Sequence, residues 1–328
     1  MASSRATEAD PATLVARARH GDARAVARLI SLVEDQSPLL PDVARELAPF
    51  SGKAHVVGLT GAPGVGKSTT TSAVVTALRQ TGRRVGVLAV DPSSPFTGGA
   101  LLGDRIRMQE HAGDPGVFIR SMATRGHLGG LAASAPQAVR VLDAAGCDVV
   151  LVETVGVGQS EVEVAGLADT TVVLLAPGMG DAIQAAKAGI LEIGTIYCVN
   201  KADRDGADAT ARELRTMVSI GRNVDGDDAS GWRPPVLKTV ASRGEGIDEL
   251  VAAIDAHRAA MEDRGELQAR RLARIRTEIE AIAVATYRGR LNHGEAAATL
   301  SELASAVLVG DSDPYSAAKV LCAATAQP

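Results

Sequence analysis

The feature that most constrains this chain is the run Gly61-Ala62-Pro63-Gly64-Val65-Gly66-Lys67-Ser68, which satisfies the phosphate-loop pattern at every fixed position. The apolar run His55–Thr60 precedes it, and the residues from Ser68 to about Leu78 read as a helix. Strand, glycine loop and helix in that order specify an α/β fold of the P-loop NTPase class. Glycines at 61, 64 and 66 let the backbone curl until successive N–H groups point at phosphate oxygens, and the helix N-terminus adds its positive end. Lys67 reaches the β- and γ-phosphates, the Ser68 hydroxyl can ligate Mg²⁺, and Thr69 completes the nucleotide-binding stretch.

From about residue 54 short apolar runs alternate with amphipathic segments. The expected strands are His55–Thr60, Arg84–Val90, Val117–Arg120, Asp148–Glu153, Thr170–Ala176, Thr195–Val199 and Val236–Val240. Strands this apolar need cover on both faces, which predicts a mainly parallel sheet flanked by helices. Aromatic residues make up only 2% of the chain, so Ala, Val, Leu and Ile must fill the core.

The expected organisation is a helical N-terminal extension over 1–50, a nucleotide-binding domain over 51–257 and a helical C-terminal arm over 258–328. In the extension, Asp10 can cap a helix opening on Pro11, and Asp22 can cap a second. Leu14, Ala18, Val26, Leu29, Ile30 and Val33 form an apolar stripe at helical spacing. In the arm, Leu272, Ile275, Ile279 and Ile282 recur at steps of 3, 4 and 3, while Arg270, Arg271, Arg274, Arg276, Glu278 and Glu280 line the other face. That is a narrow, coiled-coil-like seam, expected to pack on the nucleotide-binding domain or on another subunit.

Asn200-Lys201-Ala202-Asp203 directly follows an expected strand. A carboxylate at Asp203 can accept hydrogen bonds from the guanine N1–H and exocyclic amine. Adenine offers an acceptor at the first position and lacks that amine, so it would leave the carboxylate unpaired, which favours GTP over ATP. Asn200 and the Lys201 stem would brace the loop and cover the base. A later strand ends at Val240-Ala241-Ser242, where a backbone amide, assigned to Ala241, could meet the guanine carbonyl.

Two strand ends carry acids. The run Val149–Val152 leads into Glu153-Thr154-Val155-Gly156, and Val87–Val90 leads into Asp91. A carboxylate at the C-terminal edge of a parallel sheet, facing the phosphate loop, is placed to hold Mg²⁺ directly or through water. Gly156 can bring its N–H to the γ-phosphate and so sense hydrolysis. Hydrolysis then rests on positioning and charge neutralisation, with a switch residue orienting water; Asp104 and Gln159 are the candidates.

Asp91-Pro-Ser-Ser-Pro-Phe-Thr-Gly-Gly-Ala-Leu-Leu-Gly-Asp-Arg-Ile-Arg-Met108, then Phe118-Ile-Arg-Ser-Met122, then Glu153-Thr-Val-Gly-Val-Gly-Gln-Ser-Glu161 resemble the MeaB/ArgK family, the G-protein chaperones of adenosylcobalamin-dependent methylmalonyl-CoA mutase. The resemblance covers nearly the whole chain. It implies that Lys67 and Ser68 are phosphate and Mg²⁺ ligands, and that Asp91, Asp104 and Glu153 are the acids around Mg²⁺ and the attacking water. It also implies that Gly156 marks a second switch, and that the stretch Pro177–Lys187 is a third switch whose Lys187 signals to the partner. The implied function is a slow, partner-stimulated GTPase that gates cofactor loading onto methylmalonyl-CoA mutase and protects the loaded enzyme. The expected ligands are GTP or GDP with Mg²⁺, the expected assembly is a homodimer, and an adenosyltransferase is a further candidate partner.

Competing readings are a metal-insertion GTPase and a transport-linked kinase. The first needs clustered Cys and His ligands, whereas His20, His55, His111, His127, His257 and His293 are scattered. The second needs a phosphoacceptor site or a membrane tie. The 34 Lys and Arg against 39 Asp and Glu give a net charge of −5, which argues against nucleic acid as a partner. The absence of a long apolar run argues against a membrane span. Three distant cysteines and an N-terminus without a signal pattern lead to an expectation of a cytoplasmic protein.

Overall fold

Asp10 begins the described chain as the sequence expects of a helix cap: its carboxylate accepts from the Thr13 N–H at 3.0 Å and starts α1 (Pro11–Arg19). Asp22 does the same for α2 (Ala23–Glu34), accepting from the Arg24 and Ala25 N–H groups. A third helix, α3 (Leu40–Leu47), follows. The computed structural model describes residues 10–92, 109–124, 130–154, 160–178, 190–224, 231–292 and 294–325.

Beyond α3 the chain alternates strand and helix: β1 (His55–Thr60), α4 (Lys67–Gln80), β2 (Val85–Pro92), β3 (Val117–Thr124), α5 (Gly130–Ala144), β4 (Val149–Thr154) and α6 (Ser160–Leu167). Then come β5 (Thr170–Leu175), α7 (Ile190–Ile193), β6 (Ile196–Asn200), α8 (Ala207–Val224), β7 (Val236–Thr239) and α9 (Ile247–Asp263). The seven strands form one sheet in the order β3-β2-β4-β1-β5-β6-β7, and every pairing is parallel. β2 and β3 lie on one side of β1 with β4 inserted between β1 and β2, and β5 to β7 build out on the other side, so the strand order reverses beside β1. Ligands of open parallel sheets sit at such a crevice, outside the C-terminal strand ends.

Side-chain alternation distributes the sheet between two helical layers. Val56, Leu88, Val150 and Val152 join Leu14, Ala18, Val26, Leu29, Ile30 and Val33 of the N-terminal helices and Val139 and Leu142 of α5 in one buried cluster. Val57, Leu59, Val87, Leu151 and Val172 face the other way, against Val74, Val75 and Leu78 of α4 and Ile254 of α9. Glu153 continues the second set, since it follows Leu151 by two residues, so it faces α4. The strand that runs furthest past its expected end is β3. It pairs with β2 from Val85–Val117 to Pro92–Thr124, carrying Ser121 to Thr124 into the ladder beyond the expected end at Arg120. Cys147 and Cys198 are buried, and burial pushes their thiols up to about 12 and about 11, out of the reactive range.

The compact unit holding the sheet runs from Met1 to Arg274, and a second runs from Ile275 to Pro328. The boundary falls inside α10 (Glu266–Leu291). At its N-terminal end the charged face of α10 engages the sheet. Arg271 pairs with the buried Asp169 at 2.7 Å and donates to the Gly52 and Ala54 carbonyls, and Arg274 also meets Asp169. These contacts hold the Asp169 carboxyl below the usual range despite burial. The apolar seam is exposed: Leu272, Ile275, Ile279 and Ile282 are 60%, 40%, 61% and 51% exposed. In the second unit, α11 (Gly294–Val309) and α12 (Pro314–Thr325) pack against one another. Among the described residues no helix is long and apolar enough to cross a membrane.

Candidate nucleotide-binding site

The loop between β1 and α4 takes its shape from its glycines. Gly61 has a φ of +140°, and a Cβ there would collide with the Leu174 carbonyl of β5. Gly66, at φ +98°, occupies the helix cap, and a Cβ there would strike the Asn200 side-chain amide. Ala62, Pro63, Gly64 and Val65 arch between them, and Thr69 is exposed on the first turn of α4. That turn presents backbone N–H groups that have no carbonyl one turn earlier, which makes it an anion site. The Lys67 ammonium, largely buried, folds over the loop and donates to the Gly61 and Ala62 carbonyls at 2.7 and 3.1 Å.

Glu153 lies at the C-terminal end of β4, registered between Leu59 of β1 and Ala89 of β2. It is only 3% exposed, and a buried carboxylate needs donors. The Ser68 hydroxyl donates to Oε1 at 2.6 Å and the Thr71 hydroxyl to Oε2 at 2.8 Å. Both donors come from one face of α4, three residues apart. The Ser68–Glu153 pair is an all-oxygen set beside the phosphate-cradling turn, which suits Mg²⁺, an ion that keeps waters and binds through one or two carboxylates plus phosphate oxygens. Asp91 is the penultimate residue of β2, one step past the Val90–Thr154 rung, and its side chain lies outside the described residues. Asp104, Gly156, Gln159 and Lys187 lie outside the described residues altogether. Among the described residues no group of three or more His, Cys, Asp or Glu side chains gathers around a metal-sized site.

The base-reading motif is built around Asn200, the last residue of β6. Its amide donates to the Val65 carbonyl at 2.8 Å, and its side-chain oxygen accepts from the Thr239 hydroxyl and the Ala241 N–H, each at 3.1 Å. One buried side chain thus ties the phosphate loop to the loop after β7. Lys201, at φ +58°, stretches its stem along the same loop and donates to the Gly64 carbonyl at 2.6 Å. Asp203 is exposed and faces Arg243, whose guanidinium lies 3.4 Å from Oδ2. The Ala241 N–H, expected to meet the guanine carbonyl, is donated to Asn200, so a base contact there has to share it. Thr71, Thr239 and Arg243 were not anticipated. Helical spacing from Ser68 could have flagged Thr71, but the other two depend on how β6 and β7 pair.

A family model described as methylmalonyl-CoA mutase-associated GTPase MeaB matches residues 26–295. A Pyrococcus abyssi protein that carries a GTPase name is 49% identical over 308 residues, covering 94% of each chain. The Escherichia coli GTPase ArgK is 39% identical over 265 residues, covering 80% of each. The solved structure of a LAO/AO transport system kinase matches with a TM-score of 0.68 at 29% identity, covering 95% of this chain and 96% of that one.

Proposed function

Because the chain belongs to the MeaB family of methylmalonyl-CoA mutase-associated GTPases and is itself a GTPase, we propose that it uses GTP to gate cofactor loading onto methylmalonyl-CoA mutase and to protect the loaded enzyme. What supports this reading is the extent of the family match. Residues 26–295 take in most of α2, all seven strands and α10, so the kinship is not confined to a phosphate loop that unrelated enzymes share. Within it, Asn200 links phosphate recognition to base recognition through a single buried side chain.

The proposed roles combine the geometry around Lys67, Ser68 and Glu153 with what the family resemblance implies for the other positions. Lys67 leaves the loop carbonyls for the β- and γ-phosphates when nucleotide binds, and the loop N–H groups hold the phosphate oxygens. Ser68 and Glu153, joined by Asp91 and Asp104 as the family resemblance implies, would hold Mg²⁺, which would supply charge neutralisation at the phosphates. Asp203 reads guanine, Lys201 covers it, and Gly156 reports the γ-phosphate. Gln159 or Asp104 orients water, and Lys187 carries the nucleotide state to the mutase. Intrinsic turnover is slow and rises when the partner docks. A cytoplasmic location and an adenosyltransferase as a second partner belong to the same proposal. The transport-linked kinase reading differs in its acceptor: phosphate released mole for mole with GTP consumed excludes it.

Cofactor transfer gives the direct test of the chaperone role. With purified cognate mutase in its cofactor-free form, cobalamin loading followed by absorbance should differ with GTP, with GDP and without nucleotide. Identical loading curves under all three conditions would contradict the gating role.

The exposed seam of α10 carries a second prediction. We expect a homodimer through this helix, because four large aliphatic side chains on one narrow stripe are left in water. The double variant Ile279→Asp/Ile282→Asp places two unpaired carboxylates in that interface. It should raise the dimer dissociation constant by about two orders of magnitude or more, since each uncompensated buried charge costs several kcal/mol. Light scattering reads the result; a dimer of undiminished stability would exclude the seam.

A further inference from the structure

Glutamate at the end of β4 has one methylene more than aspartate, and a longer acid has more rotamers from which to miss a metal. The structure shows what restricts it here. Thr71, with no exposed surface, donates its hydroxyl to Glu153 Oε2 at 2.8 Å while Ser68 holds Oε1 at 2.6 Å. A helical threonine ordinarily spends its hydroxyl on the carbonyl one turn back, and Thr71 has that option in the Lys67 carbonyl at 3.0 Å. A hydroxyl has a single proton, so the carboxylate competes with the helix for it.

We propose that Thr71 is a positioning residue for the magnesium site: by anchoring Glu153 Oε2 against α4, it fixes the carboxylate so that Oε1, shared with Ser68, is the oxygen presented to the metal or its water. The residue touches neither nucleotide nor metal. It acts through Glu153, as outer-shell partners orient metal-binding carboxylates in other proteins. This rests on the reading of Ser68 and Glu153 as the Mg²⁺ ligands.

The test uses full-length protein loaded with a fluorescent GDP analogue. Dissociation of the analogue is timed in EDTA and across a Mg²⁺ titration, for wild type, Thr71→Val, Thr71→Ser and Glu153→Gln. Thr71→Val keeps the shape and removes the donor. It should raise the Mg²⁺ concentration for half-maximal retention of nucleotide by about tenfold, the low end for loss of an outer-shell partner. Dissociation in EDTA should change by less than about twofold, because no phosphate contact is lost. Thr71→Ser should restore the wild-type titration.

Three results would overturn the proposal. A wild-type Mg²⁺ titration for Thr71→Val, with Glu153→Gln shifted, would show that the hydroxyl is idle. Equal defects in Thr71→Val and Thr71→Ser would assign the effect to packing. Equal acceleration of dissociation with and without Mg²⁺ would make Thr71 a structural residue of the loop. If Glu153→Gln itself leaves the titration unmoved, the assignment of the metal ligands fails, and that failure is distinct from the other three.

Discussion

Replacing Asp203 by asparagine should lower GTP affinity by roughly two to three orders of magnitude, as expected for a hydrogen-bonding group left mismatched against the base that covers it, and should raise affinity for xanthine nucleotides by a comparable factor. A carboxylate offers acceptors only, matching the two donors on guanine's edge. An asparagine amide offers one acceptor and one donor group, matching the N1–H and the C2 carbonyl of xanthine. The frame around residue 203 should survive the change, because Asn200 and Lys201 fix the loop through Val65 and Gly64 without using Asp203. Among the described residues, the ion pair broken is with Arg243, which is 60% exposed at 3.4 Å and contributes little to stability. Calorimetry with GDP, XDP and ADP reads the outcome. Undiminished GDP binding by the variant, or no gain for XDP, would remove Asp203 from base recognition.

Lys67→Ala should cut GTP hydrolysis by about two to three orders of magnitude, the usual loss when one charged stabiliser of a developing phosphoryl or oxyanion is removed. The side chain is already inside the loop, on the Gly61 and Ala62 carbonyls, so its ammonium needs only to turn toward the phosphates. Its loss also removes a donor from each of those carbonyls, and the nucleotide-free protein should melt at a slightly lower temperature. Because Lys67 acts on the phosphates themselves, the fold-loss should be the same with and without a partner protein. Single-turnover phosphate release checks this; a loss seen only in one condition would place Lys67 in the coupling machinery.

Much of the fold was readable in advance because it depends on short-range rules. The caps at Asp10 and Asp22 follow from side chains that reach backbone N–H groups two or three residues away. The seven strands follow from apolar runs between helices, with ends off by a residue or two except at the far end of β3, and the phosphate loop follows from three glycines and a lysine at fixed spacing. The strand order was out of reach, because it depends on which runs pair across long separations. The contacts that depend on it were hidden as well. Thr71 meets Glu153 across 82 residues, and Asn200 meets Val65 across 135.

The extension of β3 past Arg120 was masked by Ser121, a polar side chain on a strand whose backbone pairing to β2 continues to Thr124. The C-terminal helix shows the limit of periodicity most clearly. The 3-4-3 stripe identified the apolar face, yet the arginine face docks on the sheet, through Arg271 and Arg274 on the buried Asp169. Hydrophobic spacing could not show that, because a buried acid at the start of β5 outweighs an aliphatic stripe as a partner for that end of the helix.

The proposed partnership with a mutase is tested by GTP turnover as purified cognate methylmalonyl-CoA mutase is titrated in. The expected result is a slow basal rate that rises saturably by about tenfold or more as the partner completes the site, a modest gain on the scale known for partner-assisted GTPases. A rate that stays at its basal value while the two proteins form a complex, or the absence of any complex with GTP or GDP bound, would contradict it.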